Sequence, residues 1–269
     1  MSLALTSEYR VFTWGFNSGG NLGLGFVSTS VKVPTRIPFE NYLDIGDYVV
    51  NVFVTPSGSS FATTNLGHLF AWGYNYEYTA GNDNRTTIQT PTKIIIPGLL
   101  AGEKFVTIDS ASDTTIALTN QNRFFGWGTP DLYQLGNAST SAIMTPTLMT
   151  IPNLPNDKTI VSITATNGAT MILASDGKVY GAGFSGNGEL GNKSVATKQN
   201  FEAYVPETKE VYLMNQVDYN YGASFATLPQ PTMVGKQFGG WYLNQALTSP
   251  LLATTMPAND LTLYVKWLG

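Results

Sequence analysis

Short apolar runs alternate with polar turns along much of this chain, and one arrangement of them returns four times. Leu3-Ala4-Leu5, Phe61-Ala62-Thr63, Ile116-Ala117-Leu118 and Met171-Ile172-Leu173 each precede a polar turn. A second run follows: Arg10-Val11-Phe12-Thr13-Trp14-Gly15, His68-Leu69-Phe70-Ala71-Trp72-Gly73, Arg123-Phe124-Phe125-Gly126-Trp127-Gly128 and Lys178-Val179-Tyr180-Gly181-Ala182-Gly183. Two short runs about one turn apart predict a β-hairpin. The turns end at Tyr9, Gly67, Asn122 and Gly177. Gly and Asn suit the left-handed residue of a bulged hairpin, and Tyr9 is the exception.

The closing glycines Gly15, Gly73, Gly128 and Gly183 lie 58, 55 and 55 residues apart, and a second glycine follows each at an offset of eight: Gly23, Gly81, Gly136 and Gly191. Later come Pro34-Thr35, Pro91-Thr92 and Pro146-Thr147, then second prolines at Pro38, Pro97 and Pro152. Proline there predicts an edge strand or its entry. The apolar segments Tyr48 to Val54, Phe105 to Ile108 and Ile160 to Ile163 follow and predict buried inner strands. The repeating unit is an all-β block of propeller-blade size.

The strand ending in Trp-Gly, the Leu135-Gly136 and Leu190-Gly191 pairs and the later Pro-Thr resemble the regulator-of-chromosome-condensation repeat, over roughly residues 2–198. The resemblance implies a partial, about four-blade, incomplete β-propeller, in a family that usually closes a ring of about seven. It does not imply nucleotide exchange, because the family also includes bacterial secreted members that bind or inhibit other proteins. The sequence departs from the pattern twice: it opens on the first hairpin strand, Ser2 to Thr6, and has Phe201 where the register expects proline. Open blade edges invite association, so self-association is expected unless something covers them.

From about Asn200 a different order begins. Tyr219-Asn220-Tyr221-Gly222, Leu228-Pro229-Gln230-Pro231-Thr232, Gly239-Gly240-Trp241-Tyr242 and Met256 to Trp267 resemble the internalin-type B repeat, also called the Listeria-Bacteroides repeat. The resemblance places a small β-grasp-like domain at 199–269, after propeller blades at 1–198, and implies a spacer of surface proteins. Leu261 to Trp267 alternates, so Leu261, Leu263, Val265 and Trp267 share one face, with Trp241 and Phe238 as expected core partners.

Composition narrows the function. The net charge is -4, from 14 Lys plus Arg against 18 Asp plus Glu, so no basic field attracts a nucleic-acid backbone. There are no cysteines, which excludes thiol chemistry and thiolate metal sites. Met1 to Glu8 lacks the pattern of a signal peptide, so an export signal is expected upstream, and no stretch is apolar enough to insert in a membrane.

Candidate chemistry is sparse. Gly181-Ala182-Gly183-Phe184-Ser185-Gly186 has dinucleotide-fingerprint spacing, but it lies on the repeat motif with no helix expected after it. His68 is the only histidine and shares its position with Arg10, Arg123 and Lys178, which predicts an exposed polar side chain. Asn82-Asp83-Asn84 lacks the further carboxylates of a calcium loop and predicts a turn. No catalytic, cofactor-binding or metal-binding residue is therefore expected. Tyr74, Tyr76 and Tyr78 are the unusual feature of the second repeat: a loop contact site for a partner, or local packing over the blade edge.

These readings predict a non-enzymatic protein-binding or adhesion module of a bacterial secreted or cell-surface protein. Its loops would contact a host or neighbouring surface protein, with the C-terminal repeat as spacer. One alternative is an extracellular hydrolase, which requires two or more of Asp109, Asp113, Asp131 and Glu189 to converge with raised pKa. The other is a structural half-propeller that completes itself with a second copy.

Overall fold

Every expected hairpin forms, in antiparallel sheets whose strands follow chain order. The hairpin is the middle pair of the three four-stranded sheets and the first two strands of the three-stranded one. The computed structural model describes residues 1–111, 113–166, 168–204, 237–243, 247–251 and 263–268. The first sheet holds β1 (Ser2–Leu5), β2 (Val11–Asn17) and β3 (Ser28–Ile37). The second holds β4 (Val49–Val54), β5 (Ser59–Thr64), β6 (Leu69–Gly73) and β7 (Ile88–Ile94). The third holds β8 (Phe105–Ala111), β9 (Thr114–Thr119), β10 (Phe124–Gly128) and β11 (Ile143–Leu148), and the fourth β12 (Ile160–Ala165), β13 (Ala169–Ala174), β14 (Val179–Gly183) and β15 (Lys198–Tyr204). These are propeller blades. The first has three strands and the other three have four.

Pro34, Pro91 and Pro146 fall in β3, β7 and β11, each at the outer edge of its sheet, where a missing N–H costs no ladder bond. Tyr9 takes the left-handed conformation at φ 61°, as Asn122 does at 60° and Gly67 and Gly177 do at 88° and 80°. The hairpin geometry therefore overrides the poor fit of a tyrosine.

Strands β5, β6, β9 and β10 are buried at every position. Neighbouring blades cover both of their faces, which is why the alternation expected of a one-faced sheet is lost there. One apolar cluster joins the first three blades and another joins the third and fourth. Phe39 of the first blade meets Phe70 and Trp72 of the second edge-on, at 5.7 Å and 5.7 Å, and Phe61 of the second meets Trp127 of the third at 6.1 Å. Full burial of each indole contributes about 2–3 kcal/mol.

Two glycines per repeat make this stacking sterically possible. The closing glycines hold φ between 101° and 105°, and a Cβ on Gly73, Gly128 or Gly183 would lie 2.4, 2.2 or 2.3 Å from the carbonyl oxygen of Gly58, Asp113 or Gly168. The second glycine is the seat for the next blade. A Cβ on Gly23 would stand 2.8 Å from the Trp72 ring, and one on Gly81 2.9 Å from Pro146 and 3.0 Å from Trp127. At Gly136 the neighbour is Phe201, at 2.4 Å. The expected proline is thus replaced by a ring: the third seat meets Phe201 where the second meets Pro146 and Trp127, while Ala182 holds the repeat position of Trp127. The aromatic ring has moved from the third strand of the blade to the fourth.

Backbone bonds repeat at each seat as well. The amides of Gly25, Asp83 and Ala138 donate to the carbonyls of Gln89, Met144 and Gln199 on the next blade, at 2.9, 3.1 and 2.8 Å. Trp127 Nε1 adds a bond of 2.8 Å to the Thr79 carbonyl.

The chain divides into two units, Met1–Glu207 and Thr208–Gly269. Strand β15 runs past the boundary expected at residue 198, because its ladder with β14 completes the fourth blade. In the second unit β16 (Gln237–Tyr242) pairs antiparallel with β17 (Tyr264–Leu268), with Trp241 opposite Val265 and Phe238 opposite Trp267. Phe238 and Trp241 meet edge-on at 5.6 Å, as core partners should, and Lys266 lies over the Tyr242 ring at 5.3 Å. Leu261, Tyr219 to Gly222, Leu228 to Thr232 and Met256 to Asp260 lie outside the described residues. Among the described residues no helix is long and apolar enough to cross a membrane.

Candidate functional site

The loop after each closing glycine consists of two linked turns. In the second blade the Tyr78 amide donates to the Asn75 carbonyl at 3.3 Å, and the Gly81 amide to the Tyr78 carbonyl at 2.9 Å. The first, third and fourth blades repeat both bonds through Gly20, Tyr133 and Gly188. All four shared residues are left-handed, at φ 64°, 58°, 62° and 83°. Asn75 ties the loop further: its Oδ1 accepts from the Ala80 amide at 2.8 Å, and its Nδ2 donates to Asn82 Oδ1 and the Asn84 carbonyl, both at 2.7 Å. Asn82-Asp83-Asn84 is thereby a turn in which Asn82 Oδ1 and the Asn84 carbonyl are held by Asn75. Asn84 Oδ1 accepts from the Thr86 amide and hydroxyl.

The three tyrosines sit differently on this frame. Tyr74 bridges two blades, with its ring against Gly19 and Gly58 and its hydroxyl 2.9 Å from Ser18 Oγ. Its own carbonyl accepts from Ser59 Oγ at 2.7 Å. Tyr76 leans on it, with centroids 5.5 Å apart at 38°, and is 60% exposed. Tyr78 occupies the left-handed turn position, with the Arg85 guanidinium 5.5 Å above its ring. Arg85 also binds the Tyr76 carbonyl and the Glu77 carboxylate. The structure therefore joins Tyr74 and Tyr76 into one anchored aromatic surface and gives Tyr78 a turn-forming place.

Acidic groups lie beside it. Asp113 has its pKa raised, first by burial and then by the charges of Glu77 and Asp131, with Arg85 opposing. Glu77 accepts from Thr129 Oγ1 at 3.0 Å. The other two carboxylates of the hydrolase reading are elsewhere. Asp109 accepts from the Ala165 amide of the fourth blade at 2.9 Å, and Glu189 caps its own loop, where bonds from Asn187 lower its pKa. Among the described residues no group of three His, Asp or Glu side chains could hold a metal ion.

His68 is not the exposed side chain expected. Its Nδ1 lies 2.7 Å from Asp47 Oδ2, whose carboxylate is fully buried. In the next blade Arg123, at the same position, pairs at 2.5 Å with the equally buried Glu103. Burial pushes the Glu103 carboxyl up, but bonds from Thr119 and the Leu100 amide, together with the Arg123 charge, hold it below its ordinary value. Asp47 and Glu103 each stand two residues before an inner strand, Val49 and Phe105, and that shared offset is the signal from which the pair can be read.

Comparison with known proteins agrees with the architecture. Human WBSCR16 has a solved structure that matches with a TM-score of 0.60 at 19% identity, covering 75% of this chain and 50% of that one. The probable E3 ubiquitin-protein ligase HERC4 of Rattus norvegicus is 29% identical over 198 residues, which is 74% of this chain and 18% of the relative. The mitochondrial RCC1 domain-containing protein RUG3 of Arabidopsis thaliana is 28% identical over 210 residues, 74% of this chain and 43% of its own length. The E3 ubiquitin-protein ligase HERC2 of Homo sapiens is 30% identical over 195 residues, 71% of this chain but 4% of the relative. The chain thus spans less than half of each of these curated relatives. Residues 10–52 match the regulator of chromosome condensation (RCC1) repeat and residues 180–266 the Listeria-Bacteroides repeat domain, so the chain carries both repeat types, in that order.

Proposed function

We propose that this chain is a non-enzymatic protein-binding module of a bacterial secreted or cell-surface protein, with the blade loops contacting a host or neighbouring surface protein and the C-terminal repeat acting as spacer. The observation that carries the reading is the Tyr74 and Tyr76 pair. Tyr74 is fixed by two blades and holds a largely exposed Tyr76 ring against itself, so large contact area is presented at low entropy cost. The Listeria-Bacteroides repeat supports the surface setting. Of the four carboxylates of the hydrolase reading, Asp113 and Asp131 lie close enough to interact, while Asp109 and Glu189 are tied to the Ala165 and Asn187 amides. Non-enzymatic action is favoured because Glu77, the nearest further acid, is engaged by Arg85 and Thr129.

The test replaces Tyr76 with a photo-crosslinking phenylalanine analogue and exposes the chain to intact cells or their surface extracts. A discrete adduct that the Tyr76→Ala chain fails to compete away supports the loop assignment. Crosslinks at no position of this loop, with capture unchanged in Tyr76→Ala, would remove it.

A further inference from the structure

Counted from the closing glycine, Tyr76 and Asp131 hold the same loop position in the second and third blades, where the first and fourth carry Ser18 and Gly186. From the second blade to the third, that position changes from an aromatic ring to a carboxylate. Asp113 lies between them, in the place of Gly58 and Gly168. Its carbonyl accepts from the Thr129 amide at 2.7 Å, as the Gly58 carbonyl accepts from the Tyr74 amide at 3.2 Å. Glu77 completes the group, with the Thr129 hydroxyl on its carboxylate. Three acids thus stand beside the Tyr74 and Tyr76 pair, at the joint of the second and third blades.

Their charge is not balanced within the fold. Arg85 is the cation that opposes the acids around Asp113, and it is already engaged by the Glu77 carboxylate, the Tyr76 carbonyl and the Tyr78 ring. Among the described residues no ion pair engages Asp113 or Asp131. Asp131 is exposed and Asp113 half-buried, so three carboxylates against one guanidinium leave an excess negative charge on a surface open to a partner. Burial and the repulsion of Glu77 and Asp131 raise the Asp113 pKa, which is the mark of that excess. A positive side chain arriving from outside relieves the repulsion. The exposed face of Tyr76 attracts the same group, because an aromatic ring binds a guanidinium or an ammonium over its face. Ring and carboxylates therefore select one chemistry, and they are carried by loops of adjacent blades, which suits a stretch of chain laid across the joint. A polyanion is repelled here. We infer that the partner docks a basic, extended segment across the joint of the second and third blades, one arginine or lysine against Tyr76 and another on Asp113 and Asp131. This rests on the partner-binding reading of the loop and adds the chemistry of the partner.

The test titrates the whole chain with a fluorescein-labelled peptide of alternating arginine and glycine, and with the same peptide carrying citrulline for arginine. Circular dichroism confirms that each variant folds. Binding is expected for the arginine peptide alone, and it weakens as salt is added. The double variant Asp113→Asn, Asp131→Asn binds about tenfold more weakly. Tyr76→Ala binds about threefold more weakly, whereas Tyr76→Phe, which keeps the ring, binds as the wild type does. Asp157→Asn with Glu202→Gln removes the same number of charges from exposed sites outside this surface and changes the affinity little. The arginine peptide also competes with the adduct formed from position 76. An adduct indifferent to the peptide, equal binding of the citrulline peptide, or equal weakening in the aspartate variant and its control overturns the basic segment and leaves the loop assignment standing. No adduct at all removes the loop assignment, and this inference with it.

Discussion

Tyr78 and Asp113 show how one repeat position imposes a conformation on whichever residue occupies it. Tyr78 shares its left-handed turn with Gly20, Tyr133 and Gly188, and Asp113 stands where the flanking blades carry Gly58 and Gly168. The burial and acidic neighbours that raise the Asp113 pKa favour its protonated form in the folded state. Its contribution to stability is then complete below the ordinary carboxylate value and is lost as the pH rises through the raised one. Asp113→Asn is expected to raise the urea midpoint near pH 7 and to change it little near roughly pH 3, where the wild-type group is already neutral. Equal shifts at both pH values would mean that charge is not the cause. A second test concerns the seat. Gly81→Ala puts a methyl group 2.9 Å from Pro146 at φ 76° and should cost about 2–4 kcal/mol. Gly46→Ala, with a similar φ of 81° and nothing within 4 Å, should cost about 1 kcal/mol in the same urea titration.

At the scale of strands and loops, the exchange of Ala182 and Phe201 for a Trp and Pro pair predicts strong coupling. Phe201→Pro alone removes the ring that meets Gly136 and Phe124, and should cost about 3 kcal/mol. Ala182→Trp alone forces a second large ring into an occupied seat and should cost about 1–3 kcal/mol. The double variant restores the arrangement at Trp127 and Pro146, so its loss should fall at least 1 kcal/mol short of the sum. Additivity in the cycle would show that the two positions do not fill one space. The hairpins and the edge prolines were legible because each depends on neighbours within about ten residues: a left-handed turn, a missing N–H. The inner strands were placed correctly but their burial was not: β4, β8 and β12 leave Val54, Val106 and Val161 42%, 41% and 58% exposed, because their second face is not covered as those of the hairpin strands are. The joints were not legible. The continuous apolar runs of β6 and β10 show that both faces are covered but not which blade covers each, so the roles of Gly81 and Phe201 appear only when adjacent blades are seen together. For the same reason the sequence shows the spacing of the glycines at offset eight but not its cause, which at Gly23, Gly81 and Gly136 is a ring of the next blade. His68 was misread similarly, because its buried partner Asp47 lies 21 residues earlier, across the sheet.

The whole molecule places two units of different construction on one chain, Met1–Glu207 and Thr208–Gly269. The blades share continuous apolar clusters, so a disturbance at one joint spreads along the stack in the manner of repeat proteins. In the C-terminal unit, Trp241 pairs with Phe238 and its strand carries the ladder to β17, so a large share of the described apolar contact rests on one indole. Unfolding of the complete chain is therefore expected in two transitions rather than one. Trp241→Ala should abolish the transition of the C-terminal unit and leave that of the blades within about 1 °C, as expected of units that unfold independently. Gly128→Ala should do the reverse, since its methyl group would meet the Asp113 carbonyl at 2.2 Å in the middle of the stack. Calorimetry combined with limited proteolysis distinguishes the cases, with cleavage after residue 207 in the first variant and throughout the blades in the second. A single transition that both substitutions lower together would show that the two units fold as one, and the spacer role proposed for the C-terminal repeat would lose its physical basis.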